Sequence, residues 1–484
     1  MAGGAVLTSG KQVGNPLRTG FVRRDCVWAF CLVTSLFFLW GFAYGLLDVL
    51  NKHFQNVLGI TKLQSTGLQV AYFGIGYFCY SPVAGEILKR KGYKVTIISG
   101  LCLYSLGAIL FWPVAKSSLH SKNHQAIFGG FVVCTAVIAC GLASLEVAAN
   151  SYVSTLEPLN IASFRLQFSQ SFNGVASFTG PLIASKYFFS GGNENNLTNV
   201  QWVYLAVALL GVSVIVAFVC TKLPETSEDA LQAEADALAE AGFNEGGVSD
   251  AHKTFWRTKA PWGFLAQFMY VGAQVTIGSF FINYCAEEGV ADAQAAQFLS
   301  YGLILFTVGR FFGTALLSIM SPSLLLMIYA IICCVFIVLI TTLKGMAGVA
   351  CIMVIMFFES IMYPVIFVLG TTGLGHHTRR AAGLLVMGVA GGAVFPPMQG
   401  AIADAEDTKT SFWICLPAFV IIAGFTAWRW NADGRQLGVG GGEVEREVEA
   451  AAGGMYPPAE VAGVVLDEEK KAHGASDLDY VERI

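Results

Sequence analysis

The chain has 484 residues, a net charge of −4 and a mean hydropathy of +0.60, with 55% of its residues hydrophobic and 13% charged. Soluble domains carry about 25% charged residues, so an ordinary water-soluble fold is excluded, and the modest charge singles out no nucleic-acid partner. Cysteines such as Cys102, Cys134, Cys140, Cys333 and Cys334 lie singly or as neighbours, without paired or metal-type spacing. They read as small buried apolar side chains, and no metal or cofactor is expected.

Residues 1–26 form a polar segment ending in Arg23-Arg24, and the long span after it lacks a cleavage site, so a retained first helix is predicted. Apolar runs between polar breaks then give twelve spans of the roughly 20 residues a bilayer needs. They are 27–50, 64–88, 93–115, 125–156, 163–190, 201–222, 261–286, 294–319, 322–343, 345–369, 380–402 and 410–430. The domain organisation predicted is a cytoplasmic N-terminal tail (1–26), a first six-helix bundle (27–222), a cytoplasmic linker (223–260), a second bundle (261–430) and a disordered C-terminal tail (431–484). Within the linker, the alanine-rich acidic run EDALQAEADALAEAG reads as a short surface helix. With both termini cytoplasmic, inner segments hold seventeen Lys and Arg and outer loops seven, leaving out the far tail. The sequon Asn196-Leu197-Thr198 then falls in an outer loop.

Three carboxylates lie inside spans: Asp48, Glu146 and Glu359. Moving a carboxylate toward the bilayer centre costs roughly 3 kcal/mol, so such residues default to functional sites. Each has polar companions at helical spacing: Trp40, Tyr44 and Asp48 in span 1, Glu146, Asn150 and Ser154 in span 4, Glu359 and Tyr363 in span 10. Gln170, Asn173 and Ser177 in span 5, and Gln267, Tyr270 and Gln274 in span 7, repeat the pattern. These spacings put each set on one helix face, and the five stripes are expected to line a wet cavity. Gln267 and Ser177 fit equally well as helix cross-links, Asp48 as an interfacial residue, and Glu359 as an acid paired with a neighbouring helix. Arg310 and Glu86, near inner span ends with Arg90 following, read as gate, snorkelling or loop-anchor residues. LEVAANSYV in span 4 aligns with FESIMYPVI in span 10, and GVASFTGP in span 5 with GVAGGAVFP in span 11, as a duplicated 6+6 chain requires.

Several stretches together resemble the major facilitator superfamily, specifically its fucose:proton symporter family. They are FFLWGFAYGLLDVLNKHFQ, YFGIGYF, LYSLGAILFWPVA, GLASLEVAANSYV, FRLQFSQSFNGVAS, LAQFMYVGAQV, VGRFFGTALLS and SIMYPVIFVLGTTGLG, and they run from about residue 35 to 400. The first, in its full FAYGLLDVLNKHFQ form, looks like the fungal branch. The resemblance implies an all-α membrane protein, two pseudo-symmetric six-helix bundles rocking in alternating access, and proton-driven import of L-fucose or a related hexose. It places the family's titrating carboxylates on Asp48 and Glu146, the span 5 polar partners on Gln170 and Asn173, and the span 10 tyrosine on Tyr363. Bacterial members carry paired asparagines where Tyr44 and Gly45 stand, and a neutral residue in place of Glu359. The usual loop signature keeps Gly85, Arg90 and Gly92 but has Lys89 where an aspartate is usual.

The expectation is therefore a monomeric, multi-pass plasma-membrane carrier, not an enzyme, whose partners are sugar, protons and the lipid bilayer. Sugar-contacting residues are Trp40, Tyr44, Glu146, Asn150, Gln170, Asn173, Gln267, Gln274, Glu359 and Tyr363. Asp48 and Glu146 are the proton sites, and Glu86, Arg90 and Arg310 the gate. The competing readings are a sugar sensor that does not transport and a proton-driven exporter of another small molecule.

Overall fold

The computed structural model describes residues 26–58, 70–117, 123–156, 161–188, 198–225 and 250–438, with Val22, Leu68 and six positions between 229 and 236; for 43–58, 178–188, 198–201 and 292–293 it describes the backbone alone. These residues are almost wholly helical. The helices are α1 (Val27–Leu58), a π-helical segment (Val70–Tyr80) running into α2 (Ser81–Ser117), α3 (His124–Thr155), α4 (Ala162–Phe188) and α5 (Thr198–Cys220). After the linker come α6 (Ala260–Ser279), α7 (Phe281–Glu287), α8 (Asp292–Leu316), α9 (Pro322–Thr342), α10 (Met346–Glu359), α11 (Met362–Thr371), α12 (Thr378–Met387), α13 (Gly391–Ala405), α14 (Thr408–Ser411) and α15 (Cys415–Ala432).

Among the described residues, eight helical stretches, or nine with the bent pair α6–α7, are long and apolar enough to cross a membrane. One of these, Val70–Ser117, holds two spans folded back at Gly92. With α1 and α4, the chain traces the twelve spans of an all-α, multi-pass membrane fold. Gly92 makes the fold-back affordable: its φ is 81°, and a Cβ there would run into the Glu225 carboxylate.

In lipid, helices gain little from burying apolar surface against one another, so close approach through small residues carries much of the packing. Within the first six spans, α2 packs on α3 and α5, and α1 on α4; within the last six, α9 packs on α15, α6 on α13 and α8 on α10. The two groups meet along two seams, α4 with α8 and α2 with α12. On the second seam, a Cβ on Gly85 would stand 2.9 Å from the Gly383 Cα, so the helices touch backbone to backbone.

Four spans of the second half are interrupted, the last by a 3-10 turn over Phe412–Ile414 between α14 and α15. α6 and α7 meet at a 47° bend, α10 and α11 are separated at Ser360-Ile361, and α12 and α13 by a 3-10 turn over Gly388–Ala390. Discontinuous spans free backbone groups near the midplane, which transporters use for binding.

Three expectations change. The linker helix is not confined to the surface: its described positions are helical, and Leu231 and Ala235, one turn apart, are buried. Gln232 ties it down, its Oε1 lying 3.0 Å from His376 Nδ1. The start of the C-terminal tail is also anchored, with Leu437 and Gln436 carbonyls accepting from the Ser321 amide and hydroxyl. The tail beyond residue 438 lies outside the described residues. Of the cysteines, Cys31, Cys79, Cys102 and Cys220 are exposed rather than buried, on outward-turned helix faces.

Candidate functional site

The site forms where α3, α4, the π-helical segment and α1 of the first half meet α8 and α11 of the second. Glu146 projects from the middle of α3 and is 5% exposed, with both carboxyl oxygens buried and unpartnered. Tyr363, Tyr77 and Asn150 are the polar groups nearest it, and the Arg310 guanidinium is the cation that its charge feels. Asn150 lies one turn further along α3, and its Oδ1 accepts from Gln170 Nε2 at 3.1 Å. The Asn150 Nδ2 and the Tyr363 hydroxyl are buried without partners. A buried polar atom left unpaired costs about 1–3 kcal/mol, so three side chains here share an unmet demand for hydrogen bonds.

Of the readings open for Arg310, snorkelling is removed and a contact between the halves, as a gate needs, stands. It does not snorkel to the membrane edge: it is 5% exposed, and its Nη1 crosses between the halves to Asn173 Oδ1 at 3.1 Å and to the Gln170 carbonyl. Its guanidinium also stands 4.8 Å over the Phe306 ring. Gln167 reinforces the crossing, donating to the Arg310 carbonyl at 3.1 Å. Asn173 is further fixed by donating to the Phe37 carbonyl at 3.3 Å. Trp40 joins from α1, its Nε1 donating to the Tyr77 hydroxyl at 2.5 Å.

The structure therefore gathers Trp40, Glu146, Asn150, Gln170, Asn173 and Tyr363. The side chains of Tyr44 and Asp48 lie outside the described residues. Gln267 is fully buried on α6 with both side-chain polar atoms unpartnered, and Gln274 is half-buried two turns along. Glu359 ends α10 at 1% exposure, with Oε1 unpartnered. Its charge is felt by Cys333 on α9, Cys415 on α15 and Tyr270 on α6. Tyr270 donates to the Glu359 carbonyl at 3.0 Å, and its ring is 6.4 Å from that of Tyr363. Tyr270 thus stands between the Glu359 neighbourhood and the Glu146 group.

Tyr77 and Gln167 join the site although sequence spacing did not single them out. Gln167 is one turn before Gln170 on the same face, a signal that was available. Tyr77 depends on the π winding, which has no marker in the sequence.

At the other seam, Glu86 accepts from Arg90 Nε at 2.8 Å and from Arg380 Nη2 at 3.0 Å, linking α2 to α12. Arg379 lies over the Tyr93 ring at 5.0 Å, a second contact between the halves. Among the described residues, no group of three or more His, Cys, Asp or Glu side chains is placed to hold a metal.

Residues 29–395 match the profile of the Major Facilitator Superfamily. The L-fucose-proton symporter of Escherichia coli (strain K12) is 32% identical over 429 residues, covering 84% of this chain and 94% of that protein. The glucose/galactose transporter of Brucella abortus biovar 1 (strain 9-941) is 30% identical over 419 residues, covering 84% and 96%. The crystal structure of FucP, a major facilitator superfamily transporter in the outward conformation, superposes with a TM-score of 0.72 at 31% identity, covering 84% of this chain and 99% of that one. The proton:xylose symporter XylE shares the fold at 15% identity, with a TM-score of 0.65 over 87% of this chain and 98% of that one. The chain belongs to the major facilitator superfamily and, within it, to the fucose:proton symporter family.

Proposed function

We propose that the protein is a proton-coupled symporter of L-fucose or a related hexose, working by alternating access between residues 27–222 and 261–430. The observation that carries this reading is Glu146: a buried carboxyl with two unpaired oxygens, ringed by hydrogen-bonding side chains from both halves. An unpaired carboxylate is costly in such a place, and a bound proton removes the charge. Carriage of that proton lets the halves move around a neutral site.

The amides of Asn150, Gln170 and Asn173 and the Tyr363 hydroxyl are the sugar's hydrogen-bonding partners, with Trp40 as an aromatic wall and Gln267 and Gln274 supplying the α6 side. Asp48 is the second proton site, with Tyr44 beside it on the same α1 face. For Glu359, a sugar contact and an acid serving its own bundle remain distinct readings, and its neighbours Cys333, Cys415 and Tyr270 favour the second. Alternating access requires two links between the halves to separate in turn: Arg310 with Asn173 and Gln170 on one seam, and Glu86 with Arg380 on the other. Arg90 holds Glu86 toward the second. The carrier is assigned to the plasma membrane as a monomer, and the Lys and Arg asymmetry supports cytoplasmic termini.

The test is uptake of labelled L-fucose, galactose and glucose into transporter-null cells. Uptake should rise at acid outside pH and collapse with a protonophore. Sodium-dependent, protonophore-resistant uptake overturns the coupling, binding without uptake makes the protein a sensor, and net efflux makes it an exporter.

A further inference from the structure

Val70–Tyr80 is wound as a π-helix, closing i→i+5 rather than i→i+4. In an α-helix, Tyr72 and Tyr77 would point about 140° apart. The wider turn reduces that angle, and the two phenol oxygens stand 3.3 Å from each other. Both side chains are shut away from solvent, at 2% and 0% exposure. Trp40 Nε1 donates to the Tyr77 oxygen at 2.5 Å, which leaves the Tyr77 hydrogen free to turn toward Tyr72 or toward Glu146. Tyr77 is among the groups that face the Glu146 carboxyl; the others are Tyr363 from α11, Asn150 from its own helix and Arg310 from α8. π elements recur at functional sites, and this one, eleven residues long, sets two hydroxyls side by side next to a buried acid.

We propose that Tyr72 and Tyr77 form a two-step hydroxyl relay that carries protons from the outer end of the second span to Glu146. The inference rests on Glu146 being the proton acceptor and on the proposed orientation. In the transfer, the Tyr77 O–H bond breaks as its hydrogen bonds to the Glu146 carboxylate. The Tyr72 hydrogen passes to the Tyr77 oxygen, and a proton from hydronium at the outer end replaces it on Tyr72, leaving water. One positive charge moves inward, both phenols end neutral, and rotation of the two hydroxyls resets the chain. Trp40 is a positioning residue, because its N–H occupies one lone pair of the Tyr77 oxygen and fixes that ring.

The test uses the full chain in proteoliposomes, with sugar-induced proton influx and uphill accumulation measured beside counterflow exchange, which moves no net proton. Tyr77→Phe and Tyr72→Phe keep the rings and remove the hydroxyls. Each should slow proton influx and accumulation about tenfold, below the full range that positioned proton transfer supplies, while exchange falls by much less. Because the steps are in series, the double variant should be no slower than Tyr77→Phe. Glu146→Gln, run alongside, should abolish accumulation. Normal accumulation by both phenylalanine variants with none by Glu146→Gln overturns the relay and leaves the symporter standing. Normal accumulation by Glu146→Gln overturns both. Equal loss of exchange and accumulation in Tyr77→Phe and Tyr72→Phe assigns the phenols to sugar binding and also overturns the relay.

Discussion

Glu146 and Glu359 occupy corresponding spans of the two halves, yet they live in different company. Glu146 faces across the midline, with Tyr363 and Arg310 of the second half among its neighbours and no hydrogen bond to either of its oxygens. Glu359 faces into its own half, toward the thiols of Cys333 and Cys415 and behind Tyr270. A duplicated fold supplies two positions for an acid, and the side chains around each decide what the acid can do. Only the first is placed where a change in its charge is felt by both moving bodies.

The sharpest way to break this comparison is the same substitution at both positions. Glu146→Gln keeps size and hydrogen-bonding capacity and removes the proton site. Uphill accumulation should fall to background, while counterflow exchange survives. Glu359→Gln should accumulate sugar as the wild type does, with an unchanged ranking of competing sugars. Loss of accumulation in Glu359→Gln at normal surface expression, or a shifted sugar ranking, would place both acids in the working site.

The next largest effect tests the cation. Arg310 serves the Glu146 group through two bonds from one guanidinium nitrogen, and Glu359 has no such partner among its described neighbours. Hydrogen bonds to charged groups contribute about 1.5–3 kcal/mol each. Arg310→Met should therefore lower the sugar uptake rate by roughly tenfold or more, on the lower of those figures. Arg310→Lys should recover only part of it, since a point charge cannot hold the planar fork. Uptake kinetics on equal amounts of reconstituted protein decide this, and wild-type behaviour in Arg310→Met would mean that the crossing is incidental.

How much of this was legible in the sequence follows from what each feature depends on. The spans were, because an apolar run of bilayer length has few alternatives. The stripe Glu146-Asn150 and the pair Gln170-Asn173 were, because helical spacing alone puts them on one face. The inward turn of Glu359 was not, since its spacing to Tyr363 assumed one unbroken helix and the span breaks at Ser360-Ile361. The gate role of Arg310 could be read from its place near the span end, but its burial among the Glu146 group could not. A lone arginine in VGRFFGT is also an intramembrane charge, and by default such charges mark functional sites. Tyr77 was hidden by the π winding, which changes which residues share a face without any proline or glycine pattern peculiar to it.

A smaller effect is expected at the Glu86 link, which joins the halves as Arg310 does but in a more exposed place, with side chains 31% and 46% accessible. Exposed pairs contribute about 0.2–1 kcal/mol. Glu86→Gln should leave accumulation intact and change the inner-side accessibility of a reporter cysteine by about twofold. A large change, or a dead carrier, would show that this seam matters as much as the α4–α8 one.

The smallest effect defines what a purely structural carboxylate looks like in this molecule. Glu288 follows α7 on the outer side in the proposed orientation. It accepts from Lys409 Nζ at 3.1 Å and from the Gly345 amide, tying together three loops of the second half. Burial pushes its carboxyl up, but the Gly345 amide and the Lys409 ammonium outweigh that and hold it below the ordinary glutamate value. A folded-state value below the unfolded one means stability that is present above the ordinary value of about 4.3 and is lost as pH falls through the lower one. Glu288→Gln mimics the protonated acid. It should lower the unfolding midpoint by about 2 °C at pH 7, in keeping with a contribution of up to about 1 kcal/mol from a partly buried pair. The gap between wild type and variant should close as pH falls through the lowered folded-state value, where the wild-type carboxyl itself becomes neutral. Accumulation and exchange should not change at any pH where the protein is folded. A transport phenotype in Glu288→Gln would mean that pairing does not separate structural acids from working ones, and the contrast drawn between Glu146 and Glu359 would lose its basis.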